Sequence, residues 1–202
     1  KDMALQPFPK LVSRLAVDRN EKYLVLAATS GDTGPAALDG FRNLPNTKVV
    51  CFYPEGGTSL IQKHQMTKES GDNLKVIGIR GNFDDTQSAL KEMISSDDFK
   101  AKLRETGYEL SAANSVNFGR IIFQIIYHFW SYFELVIKGE IEFGEKIVSI
   151  IPSGNFGNGL AAYYAMKMGL PIKKIVLASN ENNVLTHFIK SGIYNLRDSK
   201  LI

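Results

Sequence analysis

The chain has 202 residues, 44% of them hydrophobic and 22% charged, and a formal net charge of +3. That is enough apolar material for a sizeable core in one large domain or two small ones. The basic residues are spread along the chain, so no block of like charge suggests a nucleic-acid tail or a membrane-surface helix. The one cysteine, Cys51, cannot form an internal disulfide and reads as a packed thiol. No apolar run approaches the roughly 20 residues of a membrane span. No signal-peptide pattern opens the sequence, and the expected location is cytoplasmic.

In chain order, "KYLVLAA" (22–28) reads as a buried strand and "GPAALDGFRNL" (34–44) as a helix. "TKVVCFY" (47–53) is a strand and "SLIQKHQMTKES" (59–70) a helix. "NLKVIGIR" (73–80) is a strand, and residues 84–106 give one or two helices. "GYELSAA" (107–113) is a strand, followed by a long helix over 117–138 that is apolar nearly all round. Such a helix is expected to be central and covered on most sides. "KIVSII" (146–151), "GLAAYYAMKMG" (159–169), "KKIVLAS" (173–179) and "NNVLTHFIKSG" (182–192) continue as strand, helix, strand, helix. Continuous apolar strands alternating with helices predict α/β architecture: open, mostly parallel twisted sheets with helices on both faces. Ligands in such sheets bind beyond the carboxyl ends of the strands, which directs attention to the turns there.

Two of those turns are rich in glycine. "PSGNFGNG" (152–159) leaves the strand 146–151 and opens a helix. Backbone amides of Gly154, Asn155, Phe156, Gly157 and Asn158, together with the helix N-terminus, suit an anion, most naturally a phosphate. A tight turn with nothing bound is the alternative. The turn matches neither the dinucleotide fingerprint nor the nucleotide P-loop. "ATSGDTGPAA" (28–37) brings the hydroxyls of Thr29, Ser30 and Thr33 and exposed amides at Gly31 and Gly34, a cradle for a carboxylate. Asp32 would repel a carboxylate unless aimed elsewhere; a helix cap is the other reading for it. Its "DTG" triplet also occurs in aspartic proteases, but those are all-β and need paired aspartates. His64, His128 and His187 show no metal-ligand spacing, and no metal is expected.

Several segments, in order and spanning nearly the whole chain, resemble the threonine synthase family. These are "KDMALQ" (1–6), "ATSGDTGPAALDGF" (28–41), "GGTSLIQKHQM" (56–66), "AANSVNFGRI" (112–121) and "PSGNFGNGLAA" (152–162). The likeness is to the longer bacterial and fungal type within the pyridoxal-phosphate enzymes of tryptophan-synthase-like fold (fold type II). The resemblance implies pyridoxal 5'-phosphate as cofactor, with Lys1 as the lysine that bonds covalently to its aldehyde. It implies that Ser153, Gly154, Asn155, Phe156, Gly157 and Asn158 hold the cofactor phosphate, and that Asp32 lies near the ring hydroxyl. Thr29, Ser30, Gly31 and Thr33 match the loop that holds the substrate carboxylate. The implied substrate, O-phosphohomoserine, carries a second phosphate, for which Lys63, Asn114, Ser115, Asn117 and Arg120 are candidates. Asn117 also reads as a helix cap, and Lys63 and Arg120 as solvated surface charges.

The implied reaction turns O-phosphohomoserine and water into L-threonine and phosphate. No nucleic acid or membrane partner is expected, and the state is expected to be monomer or homodimer. The implied domain division is 1–27 as the start of a large cofactor-binding domain, 28–115 as a smaller α/β domain, and 116–202 as part of the large domain. Full-length enzymes of this type are much longer, so the chain is expected to be a fragment with an incomplete fold and weak or no activity alone. No candidate faces the pyridine nitrogen. The α-amine of Lys1, ordinarily titrating at about 7.7–8.0, would compete with its ε-amine for the aldehyde. Two other readings stand beside this one. One is another fold-type-II enzyme, a threonine dehydratase or cysteine synthase; the other is a non-catalytic threonine synthase-like binding protein.

Overall fold

A computed structural model describes residues 1–114, 117–181 and 183–194. Contacts divide the chain into two compact units, residues 1–120 and residues from 121 onward. In the first unit, β1 (Tyr23–Ala28), β2 (Thr47–Pro54), β3 (Leu74–Ile79) and β4 (Glu109–Ala112) form one parallel sheet in the order β3-β2-β1-β4. Each strand reaches the next through helix, as parallel pairing requires.

Both faces of this sheet are covered. Leu24, Leu26 and Ala28 of β1, with Val50, Phe52 and Leu110, pack against Leu90, Met93 and Ile94 of α5 (Phe83–Ser95) and Phe99 of α6 (Asp97–Glu105). The opposite face meets α3 (Thr33–Phe41), which approaches closely because Gly34 has no side chain. A Cβ at Gly34 would come within 2.9 Å of Cys51 Sγ and 2.6 Å of Met66 Sδ. Burial pushes the Cys51 thiol up to about 12, which makes it an inert packing group.

The strand order places a switch point between β1 and β4. The chain steps outward from β1 to β2 to β3, then returns to the other side of β1. The crevice beyond the carboxyl ends at such a point is where open α/β sheets receive ligands. Residues 28–34 and 113–114 lie at those ends.

The stretch 84–106 is two helices, because Ser96 ends α5 and its hydroxyl accepts from Phe99 N–H to cap α6 (3.1 Å). The N-terminal helices α1 (Asp2–Leu5) and α2 (Pro7–Asp18) were outside the sequence expectations. Pro7 suits a helix start, and Phe8, Pro9, Ser13 and Ala16 turn one buried face inward. The helix after "GGTS" is α4 (Leu60–Thr67).

From residue 121 onward, α7 (Phe118–Ile137), α8 (Gly157–Lys167) and α9 (Val184–Ser191) accompany a parallel pair, β5 (Ile147–Pro152) and β6 (Ile172–Ala178). Ile121, Ile125 and Tyr132 of α7 form a core with Ala161 and Ala165 of α8, Leu170 and Ile172. The Tyr132 hydroxyl accepts from Gly144 N–H (2.8 Å) and donates to Glu145 C=O (3.3 Å). The expectation that α7 is covered on most sides is not met. Ile126 is 58% and Ile137 78% exposed, because α8 and a two-stranded sheet occupy only one stripe of the helix.

Candidate functional site

Lys1 precedes α1, and its carbonyl accepts from Ala4 N–H (3.0 Å) and Leu5 N–H (2.9 Å). Ala4 and Leu5 are buried, so this turn fixes where the lysine stem leaves the backbone. The Nζ of Lys1 donates to Asp32 Oδ2 at 3.0 Å. The other carboxylate oxygen, Oδ1, accepts from Gln62 Nε2 at 2.7 Å. These two hydrogen bonds, Lys1 first, and the charge of Lys1 hold the Asp32 carboxyl below the ordinary carboxylate range. Asp32 makes no side-chain cap for α3, so its carboxylate is spent on Lys1 and Gln62 rather than on the helix. The pair borders a cavity of about 480 Å³ lined also by Asp2, Pro35, Ala36 and Gln65.

The adjoining turn is built around Thr29. Its buried Oγ1 accepts from Gly31 N–H and Gly34 N–H, both at 3.0 Å. The two amides expected to be exposed are therefore turned inward, and Gly31 and Gly34 are buried. Ser30 is exposed and Thr33 partly so. A Cβ at Gly31 would collide with the Gln62 carboxamide, so a side chain there would push that carboxamide from its place.

Across the switch point, Asn114 clips β1 to the loop after β4. Its Oδ1 accepts from Ala28 N–H (3.0 Å) and its Nδ2 donates to Ala28 C=O (2.9 Å). Asn117 caps α7 through Oδ1, which accepts from Gly119 N–H (2.9 Å), while Nδ2 donates to Ala112 C=O (2.9 Å). Arg120 is 5% exposed and donates from Nη1 to Ala113 C=O (3.1 Å); it is no solvated surface charge. Burial lowers the pKa of its guanidinium from the ordinary value. Lys63 pairs with Glu55 (3.6 Å) and lies over the Tyr53 ring (5.9 Å), and it is not among the residues bordering the Lys1 cavity. Ser115 lies outside the described residues.

The second glycine turn lies in the other unit. After β5, Ser153 N–H donates to Ala178 C=O (3.1 Å), which ties the turn to the end of β6. Phe156 takes the left-handed conformation (φ 59°) and starts α8. The amides of Gly157, Asn158 and Gly159 open that helix and by position have no intrahelical carbonyl. Gly154 and Asn155 are exposed. A Cβ at Gly154 would meet nothing, and one at Gly157 only Gln124 Nε2 at 3.7 Å. The protein's own packing thus does not demand glycine at either position. Gly159 differs, because a Cβ there would press on the Phe156 ring at 2.7 Å.

Asn158 Oδ1 lies 2.8 Å from His128 Nε2 on α7, and since the amide oxygen only accepts, this nitrogen carries the proton. Desolvation lowers the His128 pKa, and its bonds to Asn158 oppose that in part. Two site residues escaped sequence reasoning. Gln62 had a legible signal, the Ser-x-x-Gln capping box that it forms with Ser59; His128, in an apolar helix, had none. Among the described residues no cluster of His, Cys, Asp or Glu could hold a metal, and no helix is long and apolar enough to cross a membrane.

No family model matches the chain. Threonine synthase-like 1 of Homo sapiens is 45% identical over 207 residues, covering 100% of this chain and 28% of that protein. The crystal structure of threonine synthase from yeast superposes with a TM-score of 0.80 at 36% identity, over 96% of this chain and 38% of that one. A pyridoxal-phosphate-bound threonine synthase from Brucella melitensis gives 0.79 at 34% identity, over 96% of this chain and 39% of that one. The chain spans less than two fifths of the length of these relatives. Over essentially its whole length the chain is thus similar, in sequence and in fold, to part of the threonine synthases and threonine synthase-like proteins, and it shares their α/β architecture.

Proposed function

We propose that the chain carries the lysine and the phosphate-cradling turn of a pyridoxal-phosphate-dependent threonine synthase. The carrying observation is the turn 153–158: an open strand-to-helix turn in which a Cβ at Gly154 would meet nothing and one at Gly157 only an ordinary contact with Gln124. Space kept free beside helix-opening amides fits a phosphate. The donor set also fits the other end of the cofactor, since Lys1 offers a primary amine beside a carboxylate that fixes its position. When bound, the cofactor stores electrons released at the substrate carbons.

In this reading Ser153, Gly154, Asn155, Phe156, Gly157 and Asn158 hold the cofactor phosphate. The Nζ of Lys1 would hold the cofactor at its aldehyde, and the free amine would move protons at the α and β carbons of the substrate. Asp32 orients Nζ and lies near the ring hydroxyl. The loop Thr29, Ser30, Gly31, Thr33 receives the substrate carboxylate, with Thr29 shaping the loop and Ser30 and Thr33 facing outward. Lys63, Asn114, Ser115, Asn117 and Arg120 remain the candidates for the phosphate of O-phosphohomoserine, which leaves as water adds at the β carbon to give L-threonine. Residues 1–27 and 116–202 belong, in this proposal, to the larger domain and 28–115 to the smaller.

A second reading, a threonine synthase-like protein that binds such ligands without the synthase reaction, draws on the higher identity to human threonine synthase-like 1. A substrate panel with pyridoxal phosphate separates them by scoring threonine formation, ketoacid formation and sulfide incorporation, with Lys1→Ala as control. Threonine and phosphate released in equal amounts, and lost with Lys1, support the first reading. Ketoacid or cysteine as the product contradicts it. Cofactor bound with no turnover of any substrate favours the second.

A further inference from the structure

The side chain of Gln62 is held at both ends. Its Oε1 accepts from Ser59 N–H and its own N–H donates to Ser59 Oγ, both at 3.2 Å. That reciprocal pair orients the carboxamide, so the Nε2 end points at Asp32 and donates to Oδ1 at 2.7 Å. The opposite oxygen of the same carboxylate receives Lys1 Nζ at 3.0 Å. A capping box of this kind is formed by glutamate as well as by glutamine. Glutamate at this position would keep the cap and place a second carboxylate against Asp32. Only the amide both caps α4 and donates to the aspartate. The choice of glutamine is explained by Asp32, not by the helix.

We propose that Gln62 is a positioning residue for the reactive amine: it locks the Asp32 carboxylate, and Asp32 in turn holds Lys1 Nζ. This rests on Lys1 being the cofactor-linked lysine. The "GGTS" loop is thereby coupled to the amine through three side chains on two segments of the chain, Ser59 and Gln62 at the start of α4 and Asp32 in the turn before α3. The charged groups facing Asp32 are the Lys1 ammonium and, more weakly, the α-amine of Lys1; Asp2 borders the same cavity. Among the described residues Lys1 is the one cationic side chain bonded to Asp32, so the effect of a second negative charge would fall on the Asp32–Lys1 pair.

The test compares the unaltered chain with Gln62→Glu, Gln62→Met and Ser59→Ala, without cofactor. The first readout is the ¹³C carboxyl titration of Asp32. The second is the rate at which Lys1 Nζ takes up methyl groups from formaldehyde and a borohydride at one fixed pH, resolved from the α-amine. Gln62→Glu keeps the melting temperature, moves the Asp32 midpoint upward by about one pH unit as a like charge does, and slows Nζ methylation several-fold. Gln62→Met moves the midpoint upward by less and loses stability with the cap; Ser59→Ala loses stability with a smaller change at Asp32. A Gln62→Glu chain whose Asp32 midpoint and Lys1 methylation match the unaltered chain overturns the proposal. Both readouts are independent of the cofactor, so failure of pyridoxal phosphate to bond at Lys1 would count against the proposed function and not against this coupling.

Discussion

Two glycines in the turn 152–159 look alike in the sequence and separate in the structure. Gly157 has room for a methyl group and Gly159 has none. Gly157→Ala sits at the first helical residue, where the preference for alanine is smaller than the roughly 1 kcal/mol of a helix interior. The expected outcome is unchanged or raised thermal stability with at least tenfold weaker binding of pyridoxal phosphate, read by calorimetry. Gly159→Ala forces the Phe156 ring aside and is expected to lower stability, at about the 1–3 kcal/mol of an overpacked site. His128 supplies a pH prediction. Its folded pKa lies below the ordinary 6.5, so the unfolded chain binds the proton more readily. Stability from this group is complete above about pH 6.5 and is lost as pH falls toward the folded value. Melting temperature against pH, for the unaltered chain and His128→Gln, should show a steeper acid decline in the former. Equal slopes would contradict the assignment.

Elements rich in β-branched residues and framed by short turns were legible: β1, β2, β3, β5 and β6 fall where alternation with helices placed them. α1 and α2 were not read from the sequence; α1 is too short to show a period, whereas α2 did carry a local signal in Pro7 at its start and one apolar face turned inward. The break at Ser96 was left open because one hydroxyl decides it. Of the site, both glycine turns could be located, since positive φ, small residues and a following helix leave a local trace. Which amides stay available could not, because Thr29 Oγ1 captures two of them through contacts that no spacing encodes. Asn114 makes a prediction at this scale. Its carboxamide pairs with both the N–H and the C=O of Ala28 at the end of β1, and Asn114→Leu strands both polar groups. A loss of about 1–3 kcal/mol per group left unpaired is expected in urea unfolding. Hydrogen exchange should rise at Ala28 while β3 stays protected.

At the scale of the molecule, the order β3-β2-β1-β4 turns a list of strands into a site, because it sets the Asp32 turn and Asn114 on either side of one switch point. Parallel pairing was readable from apolar runs; the order was not, since nothing local says that β4 returns beside β1. The glycine turn after β5 belongs to the second unit. The most direct measurement is reduction with borohydride after adding pyridoxal phosphate, followed by peptide mapping. The account predicts one equivalent of label on the Nζ of Lys1, diminished by Gly157→Ala and absent in Lys1→Ala. Label spread over surface lysines, or retained at full yield in Lys1→Ala, would contradict it.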